Sequence, residues 1–208
     1  MRKLTSYAKV QRVIGNLVRG TSFGIRTKNA KILNVGCGPH FNKNFINLDY
    51  WWMPEIEICW DIVKKKYPIP DNSLEGIYTE HCLEHIPFGS FNENCKEFFR
   101  MLKSSGHVRI IMPDGELYLD IYQERKNGGK KEMPYEDGYI TPMARINGIF
   151  RNHGHLFIYD FQTVKKILGE IGFMDIKKET YRSGRMSALL IDTDWRADES
   201  LYVEATKP

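Results

Sequence analysis

A short apolar segment that stops abruptly at two glycines constrains this chain more than any other feature. It reads Lys31-Ile-Leu-Asn-Val-Gly-Cys-Gly-Pro-His40, and a second apolar run, Phe45-Ile-Asn-Leu-Asp49, follows it and ends on an acid. Short apolar runs are typical of buried parallel strands, whose carboxyl ends bind ligands. Gly36 and Gly38 permit a tight turn with no Cβ facing a ligand, and the Asp49 carboxylate can accept hydrogen bonds from a ribose diol. The pattern predicts a pocket for an adenosine-containing cofactor.

The class of cofactor follows from what this segment lacks. A dinucleotide-binding fingerprint has a third glycine, where this chain has Phe41. The acid of that fingerprint also follows its glycines at a greater distance than Asp49 follows Gly36. Asp49 follows Gly36 by only 13 residues, and no Gly-Lys-Ser/Thr of a phosphate-binding loop occurs. We therefore expect a cofactor without a pyrophosphate, and S-adenosylmethionine fits.

Five segments, in order along the chain, carry a resemblance to a known family. They are Leu33-Asn-Val-Gly-Cys-Gly38, Trp60-Asp-Ile62 with Tyr67-Pro-Ile-Pro-Asp-Asn-Ser-Leu-Glu75, Glu80-His-Cys-Leu-Glu-His-Ile-Pro87, Phe98-Phe-Arg-Met-Leu-Lys-Ser-Ser-Gly106, and His155 through Asp160 to Gly172-Phe173. Together they resemble the motifs of class I S-adenosylmethionine-dependent methyltransferases of the type 11 branch. The short first crossover and the closing segment from Trp195 are most similar to a small bacterial subgroup linked to surface-polysaccharide genes.

The resemblance implies an α/β fold with a Rossmann-like seven-stranded sheet. Its strand order would be 3-2-1-4-5-7-6, with strand 7 antiparallel and with reduced helices in the first half of the chain. One domain would cover 1–208, with a basic N-terminal helix and linker over 1–30 and a substrate-side insertion over 115–159. The cofactor-binding residues expected from the strand ends and from the resemblance are Asn34, Gly36, Cys37, Gly38, Asp49, Tyr50, Asp61, Ile62, Glu80 and His81. Helix capping or turn formation is the alternative role for Asp49 and Asp61.

Periodicity and capping signals predict three helices. Tyr7, Val10, Ile14 and Leu17 recur at helical spacing, which predicts an amphipathic N-terminal helix lying on the sheet. Ser90 and Glu93 form a capping-box pattern that predicts a helix beginning at Ser90. Asp160 is the expected N-cap of a helix that stops at Gly172. Strands are predicted at about 31–35, 45–49, 56–61, 75–80, 107–112, 173–181 and 200–207.

The insertion supplies the expected acceptor side of the site. Loops at strand ends build substrate sites in this fold class, and aromatic and planar hydrogen-bonding groups suit a polar ring such as a sugar. The expected substrate-binding residues are Tyr139, Arg145, Asn147 and Arg151. Methyl transfer to an alcohol needs a base, for which histidine is suited near neutral pH. The candidates are His155, His85 and His153, the first being favoured, and for each the alternative is a structural role. No cluster with metal-ligand spacing is visible, so the sequence predicts metal-independent catalysis.

Charge is distributed unevenly along the 208 residues. The net charge is +4, yet residues 1–31 hold eight basic residues and no acid. Such a segment can attract an anionic substrate, nucleic acid or an acidic membrane surface, or it can be a solvated helix face. The four cysteines form no Cys-x-x-Cys pair. No apolar run is long enough to span a bilayer, and no signal-peptide pattern is visible. We therefore expect a cytoplasmic protein with reduced thiols.

These observations favour a methyltransferase that acts on a hydroxyl or amino group of a small polar acceptor, a sugar or nucleotide-sugar that can be anionic. Two alternatives stay open. One is an RNA or DNA methyltransferase that uses the basic segment. The segment contains only two aromatic residues, which argues against this alternative. The other is a cofactor-binding interaction protein without catalysis. The oligomeric state is not predicted.

Overall fold

A single seven-stranded sheet organises the chain. The computed structural model describes residues 6–26 and 28–208, with side chains from residue 9 onward. The sheet order is β3-β2-β1-β4-β5-β7-β6, in which β1 to β5 run parallel and β7 is antiparallel to both of its neighbours. The predicted fold class and strand order are confirmed. The strands are β1 (Ile32–Val35), β2 (Ile46–Asp49), β3 (Ile58–Cys59), β4 (Leu74–Glu80), β5 (Leu102–Pro113), β6 (Met174–Glu179) and β7 (Ser200–Thr206).

Five α-helices surround the sheet in the described part of the chain. Residues 36–73, all of which are described, contain none of them, so the predicted reduction of helices in the first half is confirmed. The helices are α1 (Ser6–Val18), α2 (Phe88–Met101), α3 (Gly115–Lys126), α4 (Pro142–Arg151) and α5 (Phe161–Ile171).

The ends of two helices test the capping signals. The Asp160 carboxylate accepts a hydrogen bond from Thr163 N at 2.8 Å, and Gly172 ends α5 with a φ of 112°; both predictions are confirmed. The capping box at Ser90 is wrong. Helix α2 begins at Phe88 because Pro87, in an extended conformation, offers its carbonyl to the first helical turn, which places Ser90 inside the helix.

Apolar side chains cover both faces of the sheet. One face packs against α2 and α5 through residues such as Leu33, Ile77, Phe98 and Leu168. The other is covered by the link between β6 and β7, where Leu189 packs on a smaller apolar cluster. Because both faces are covered, all of β1 and the central part of β4 are buried without alternation between the faces.

The insertion has a small core of its own. Its ends meet where Gly115 N donates to Tyr159 O at 2.9 Å, and α3 and α4 pack through Tyr118, Ile121, Ile146 and Ile149. The insertion was expected to be a strand-end loop, but it contains two helices, α3 and α4. It therefore presents its side chains to the sheet's edge from a packed scaffold.

The N-terminal helix packs through a different face from the one predicted. Gly15 of α1 is buried, and a Cβ there would lie 3.4 Å from Trp52 N, so the backbone itself packs against the loop after β2. Val10, Val13 and Leu17 are exposed. The expectation that this stripe lies on the sheet is wrong, because the close approach at Gly15 selects the opposite side of the helix. The side chain of Tyr7 lies outside the described residues.

A buried ion cluster holds the link between β6 and β7 on the sheet. The Arg109 side chain, on β5, is fully buried and donates to Asp192 and to Glu204, with Nε–Oδ1 and Nη1–Oε1 distances of 2.8 Å. Its remaining donors reach the carbonyls of Ser183 and Thr180. The guanidinium is thus matched by two carboxylates and two carbonyls, as a buried charge requires.

We expect Arg109→Met to lower the free energy of unfolding by about 3–5 kcal/mol, because it leaves two buried carboxylates without their cation. Urea denaturation measures the change. The matched control is Lys166→Met, which removes an exposed pair with Glu170 and should cost less than about 1 kcal/mol. Equal costs for the two variants would contradict this account of the cluster.

Candidate active site

The glycine turn after β1 is tied to the end of β2 by one carboxylate. Asp49 Oδ2 accepts from Gly38 N at 2.8 Å, and Oδ1 accepts from Trp51 N at 2.7 Å. Gly36 has a φ of +67°, and a Cβ there would lie 2.2 Å from Cys82 Sγ. Only glycine fits that position. Asp49 therefore has the turn-forming role, and each of its oxygens keeps a lone pair for a second donor.

A cavity of about 580 Å³ opens at these strand ends. Burial raises the pKa of Asp49, which is partly offset by its backbone hydrogen bonds. Asp61 lies further along the wall, where its Oδ1 accepts from Val63 N at 3.0 Å, a turn role like that of Asp49. The expected cofactor residues that line this cavity are Gly36, Asp49, Tyr50, Asp61, Ile62 and His81.

The other expected cofactor residues surround a neighbouring cavity of about 300 Å³. It is lined by Asn34, Cys37, Gly38 and Glu80, and it shares Gly36 and His81 with the first cavity. Asn34 is buried and donates to His40 O, which supports the turn. Nothing lies within 4 Å of a Cβ built on Gly38, so this glycine borders open space.

A third cavity, of about 350 Å³, lies between the end of β4 and the insertion. His81 and His85 belong to its wall and to that of the 580 Å³ cavity, so the two cavities meet at these rings. The remaining lining residues are Glu84, Pro113, Tyr135, Tyr139, Arg145, Ile149, His153, His155, Trp195, Arg196 and Glu199. We refer to it below as the acceptor-side cavity.

His81 stands at the junction of all three cavities with both ring nitrogens engaged. Ser200 Oγ donates to Arg196 O, so His81 Nε2, 2.8 Å from the same Oγ, must donate to it. Nδ1 then faces Glu84 Oε1 at 3.4 Å. A proton on Nδ1 makes this contact an imidazolium–carboxylate pair.

Glu84 is the most buried charged group of the site. Its side chain is fully buried, and neither carboxylate oxygen has a hydrogen-bond partner among the described residues. Burial by itself raises the pKa of Glu84, but His81 and His85 more than offset this and hold the pKa below the usual range. The carboxylate is therefore ionised at neutral pH, with His81 and His85 as its nearest basic groups.

Two of the predicted catalytic histidines lie side by side. The ring centroids of His85 and His155 are 4.9 Å apart, and the His153 ring lies 5.8 Å from that of His155. His155 Nδ1 is 2.6 Å from the carbonyl of Ile149, which requires a proton on Nδ1. In the neutral ring Nε2 then carries a free lone pair. This is the tautomer that a general base requires.

The predicted substrate residues divide into two groups. Tyr139 and Arg145 line the acceptor-side cavity, although Arg145 is buried and donates to Pro134 O and to the Tyr118 hydroxyl. Asn147 instead donates to Met143 O on its own helix, and Arg151 is exposed; neither lines the cavity.

Sequence reasoning missed the contribution of the link before β7. Trp195, Arg196 and Glu199 line the acceptor-side cavity from there. Their only signal was the resemblance of the closing segment to a bacterial subgroup, because nothing local to these residues indicates that they lie beside a strand end 115 residues earlier, at Glu80.

One group of side chains could hold a metal ion. Single ligand atoms of Glu84, His85 and His155 lie within 4.8 Å of one another. Ligands around a tetrahedral ion at about 2.1 Å stand about 3.4 Å apart, whereas His85 Nε2 and Glu84 Oε1 are 3.7 Å apart. The set would have to contract to hold an ion.

Comparison with known proteins identifies the fold. No family model matches the sequence, and no curated protein matches it. A methyltransferase structure from Archaeoglobus fulgidus, described as S-adenosylmethionine-dependent, aligns with 19% identity and a TM-score of 0.53 over 86% of this chain and 87% of its own. One from Thermotoga maritima, described as a possible histamine N-methyltransferase, aligns with 13% identity and a TM-score of 0.54 over 88% and 84%.

This chain has the methyltransferase fold. In that fold the glycine turn and the carboxyl ends of β1 to β4 form the ligand edge of the sheet, where all three cavities lie. At these identities the likeness concerns the fold alone.

The two glycines of the turn provide a matched test of its geometry. Both have positive φ, but only at Gly36 would a Cβ collide with Cys82. We expect Gly36→Ala to lower the free energy of unfolding by about 3 kcal/mol or more and Gly38→Ala by only about 1–2 kcal/mol, the cost of a left-handed alanine. Thermal or urea unfolding measures both. A larger loss for Gly38→Ala would show that the turn is built differently.

Proposed function

We propose that this protein is an S-adenosylmethionine-dependent methyltransferase that acts on a hydroxyl or amino group of a small polar acceptor. The observation that carries the proposal is the meeting of two cavities at His81 and His85, one at the glycine turn and one against the insertion. A methyl donor and an acceptor in separate cavities with a shared wall can be aligned for in-line transfer.

The residues at the strand ends suit this cofactor. Asp49 has lone pairs left for the two ribose hydroxyls, and Ile62 can pack against the adenine ring beside Asp61. The open space at Gly38, lined by Asn34 and Glu80, would take the amino-acid end. When bound, the cofactor supplies a methyl group on a positively charged sulfur.

On the acceptor side, the chain must orient one nucleophilic atom and take its proton. The lone pair on His155 Nε2 is the group we assign to that proton, with His85 beside it and His153 at the outer wall. When bound, the cofactor would supply its methyl group to the acceptor's oxygen or nitrogen, and the residues of this cavity would orient that atom. The insertion and the link before β7 exclude water from the reacting atoms.

The acceptor class follows from the lining of the acceptor-side cavity. Tyr135, Tyr139 and Trp195 supply aromatic faces, and Arg196 supplies a cation on the same wall. Aromatic faces with planar donors suit a sugar ring, and a guanidinium suits a phosphate. A sugar or nucleotide-sugar of surface-polysaccharide synthesis is therefore the acceptor that we propose, in line with the bacterial subgroup that the sequence resembles.

Asp49→Ala tests the cofactor site. We expect it to weaken binding of S-adenosylhomocysteine by about 1–3 kcal/mol, because the ribose loses a charged acceptor, as measured by calorimetry. Only ionised Asp49 accepts from both hydroxyls, so wild-type affinity should be full at neutral pH and fall as the pH drops through the raised pKa. The fall should therefore start above the range of an ordinary aspartate, about 3.9.

Asp49→Asn serves as the control, since its affinity should not vary over that pH range. An unchanged dissociation constant in folded Asp49→Ala would remove Asp49 from the cofactor site. No binding of either cofactor form by the wild type would contradict the proposed function itself.

His155→Ala tests the assignment of the base. On the acceptor found by screening nucleotide-sugars with S-adenosylmethionine, turnover should fall by about 10²–10⁴ while S-adenosylhomocysteine affinity stays near wild type. His107→Ala is the matched control, because His107 contacts Thr206 on β7 and lines none of the three cavities.

Two outcomes would redirect this assignment. Loss of wild-type turnover in a chelator, restored by a divalent ion, would make His155 a ligand together with Glu84 and His85. Cofactor binding without methyl transfer to any acceptor would favour a binding protein, and transfer to RNA or DNA would favour the nucleic-acid alternative.

A further inference from the structure

The outward face of α1 is apolar, although it meets no other part of the described chain. Val10, Val13 and Leu17 occupy one side of the helix by their spacing, and their exposed fractions are 55%, 60% and 72%. Phe23, just beyond the helix, is 87% exposed. Single exposed apolar side chains are ordinary, but a stripe of them along a helix marks an interaction surface.

The orientation of this face is fixed by contacts on the opposite side. Gly15 packs against the backbone at Trp52, and Arg19 donates from Nε to Tyr50 O at 2.8 Å, with its guanidinium 3.5 Å from the centre of the Tyr50 ring. Turning the helix inward would break these contacts. The stripe therefore faces away from the rest of the described chain.

Basic side chains lie near the stripe. Lys9 and Arg12 are exposed on the same helix. A second basic run, the exposed Lys64, Lys65 and Lys66, is joined to the end of α1 by a hydrogen bond from Lys65 Nζ to Gly20 O at 2.6 Å. Residues 1–31 contain eight basic residues and no acid, so the rest of the chain is net negative.

We propose that α1 docks this protein on an anionic lipid surface. An apolar stripe beside basic side chains is the arrangement by which a helix lies in the plane of a membrane interface, and basic residues are attracted to anionic lipid. A second copy is disfavoured, since two strongly basic segments repel each other. Nucleic acid accounts for the charge but not for the valines and leucine, which offer no stacking surface. None of the described helices has the length and apolarity needed to cross a bilayer, so the contact would be peripheral.

Docking through the stripe would leave α1 between the membrane and one wall of the 580 Å³ cavity. Tyr50, which Arg19 holds against α1, lines that cavity. The proposal does not depend on the proposed function, because lipid binding can be measured without any methyl transfer.

Co-sedimentation of the intact protein with vesicles tests the proposal. We expect binding to vesicles of phosphatidylcholine with phosphatidylglycerol, and weak binding to phosphatidylcholine alone. The double variant Val13→Gln with Leu17→Gln keeps the charge and the helix propensity but removes two apolar side chains from the stripe. It should weaken vesicle binding at least about tenfold. Lys9→Glu with Arg12→Glu should weaken it at low salt, by a factor that shrinks as salt is added.

Leu119→Gln is the matched control, a leucine that is 53% exposed on α3 and that should leave binding unchanged. Circular dichroism and thermal unfolding establish that each variant is folded. Wild-type protein that stays in the supernatant with anionic vesicles would overturn the proposal. So would an equal loss in Leu119→Gln, or a dimer in light scattering that the double glutamine variant dissociates while vesicles fail to bind.

Discussion

A single buried glutamate joins the two halves of the candidate site. Glu84 follows β4, and its carboxylate lies against His81 and His85. Its backbone carbonyl also accepts from Leu156 N at 2.8 Å, which fixes the return of the insertion beside the end of the sheet. A buried carboxylate without these histidines would be strongly unfavourable, so the charge forces the rings, the strand end and the insertion into one arrangement.

The cofactor side of the site was predictable because its parts are local. The glycine turn, the acid at the end of β2 and the parallel order of the strands follow from short segments, and the sheet brings their ends to one edge. The acceptor side depends on long-range contacts. Trp195 and Arg196 reach it because Arg109 anchors the preceding link on β5 and Glu80 accepts from Thr193 N at 3.0 Å. A lone arginine in an apolar strand gives no sign of its partners.

Helical periodicity shows that a face exists but not what the face meets. The stripe of α1 was found in the sequence, yet it was assigned to the sheet. The deciding residue is Gly15, whose lack of a side chain lets the opposite side of the helix approach Trp52. Similarly, the capping pattern at Ser90 is sound chemistry, but the N-cap is Pro87, three residues earlier. In both cases a tertiary or neighbouring constraint outweighed a local preference.

The insertion sets both the shape of the acceptor-side cavity and the protonation of its histidine. The carbonyl that holds His155 Nδ1 belongs to Ile149, and Ile149 is part of the insertion's own small core. Packing of α3 against α4 therefore determines which nitrogen of His155 carries the proton. Under the proposed function, acceptor recognition and proton removal are one structural unit, while cofactor binding is another. Variation in the insertion would thus change the acceptor and tune the base together, and would leave the ends of β1 and β2 untouched.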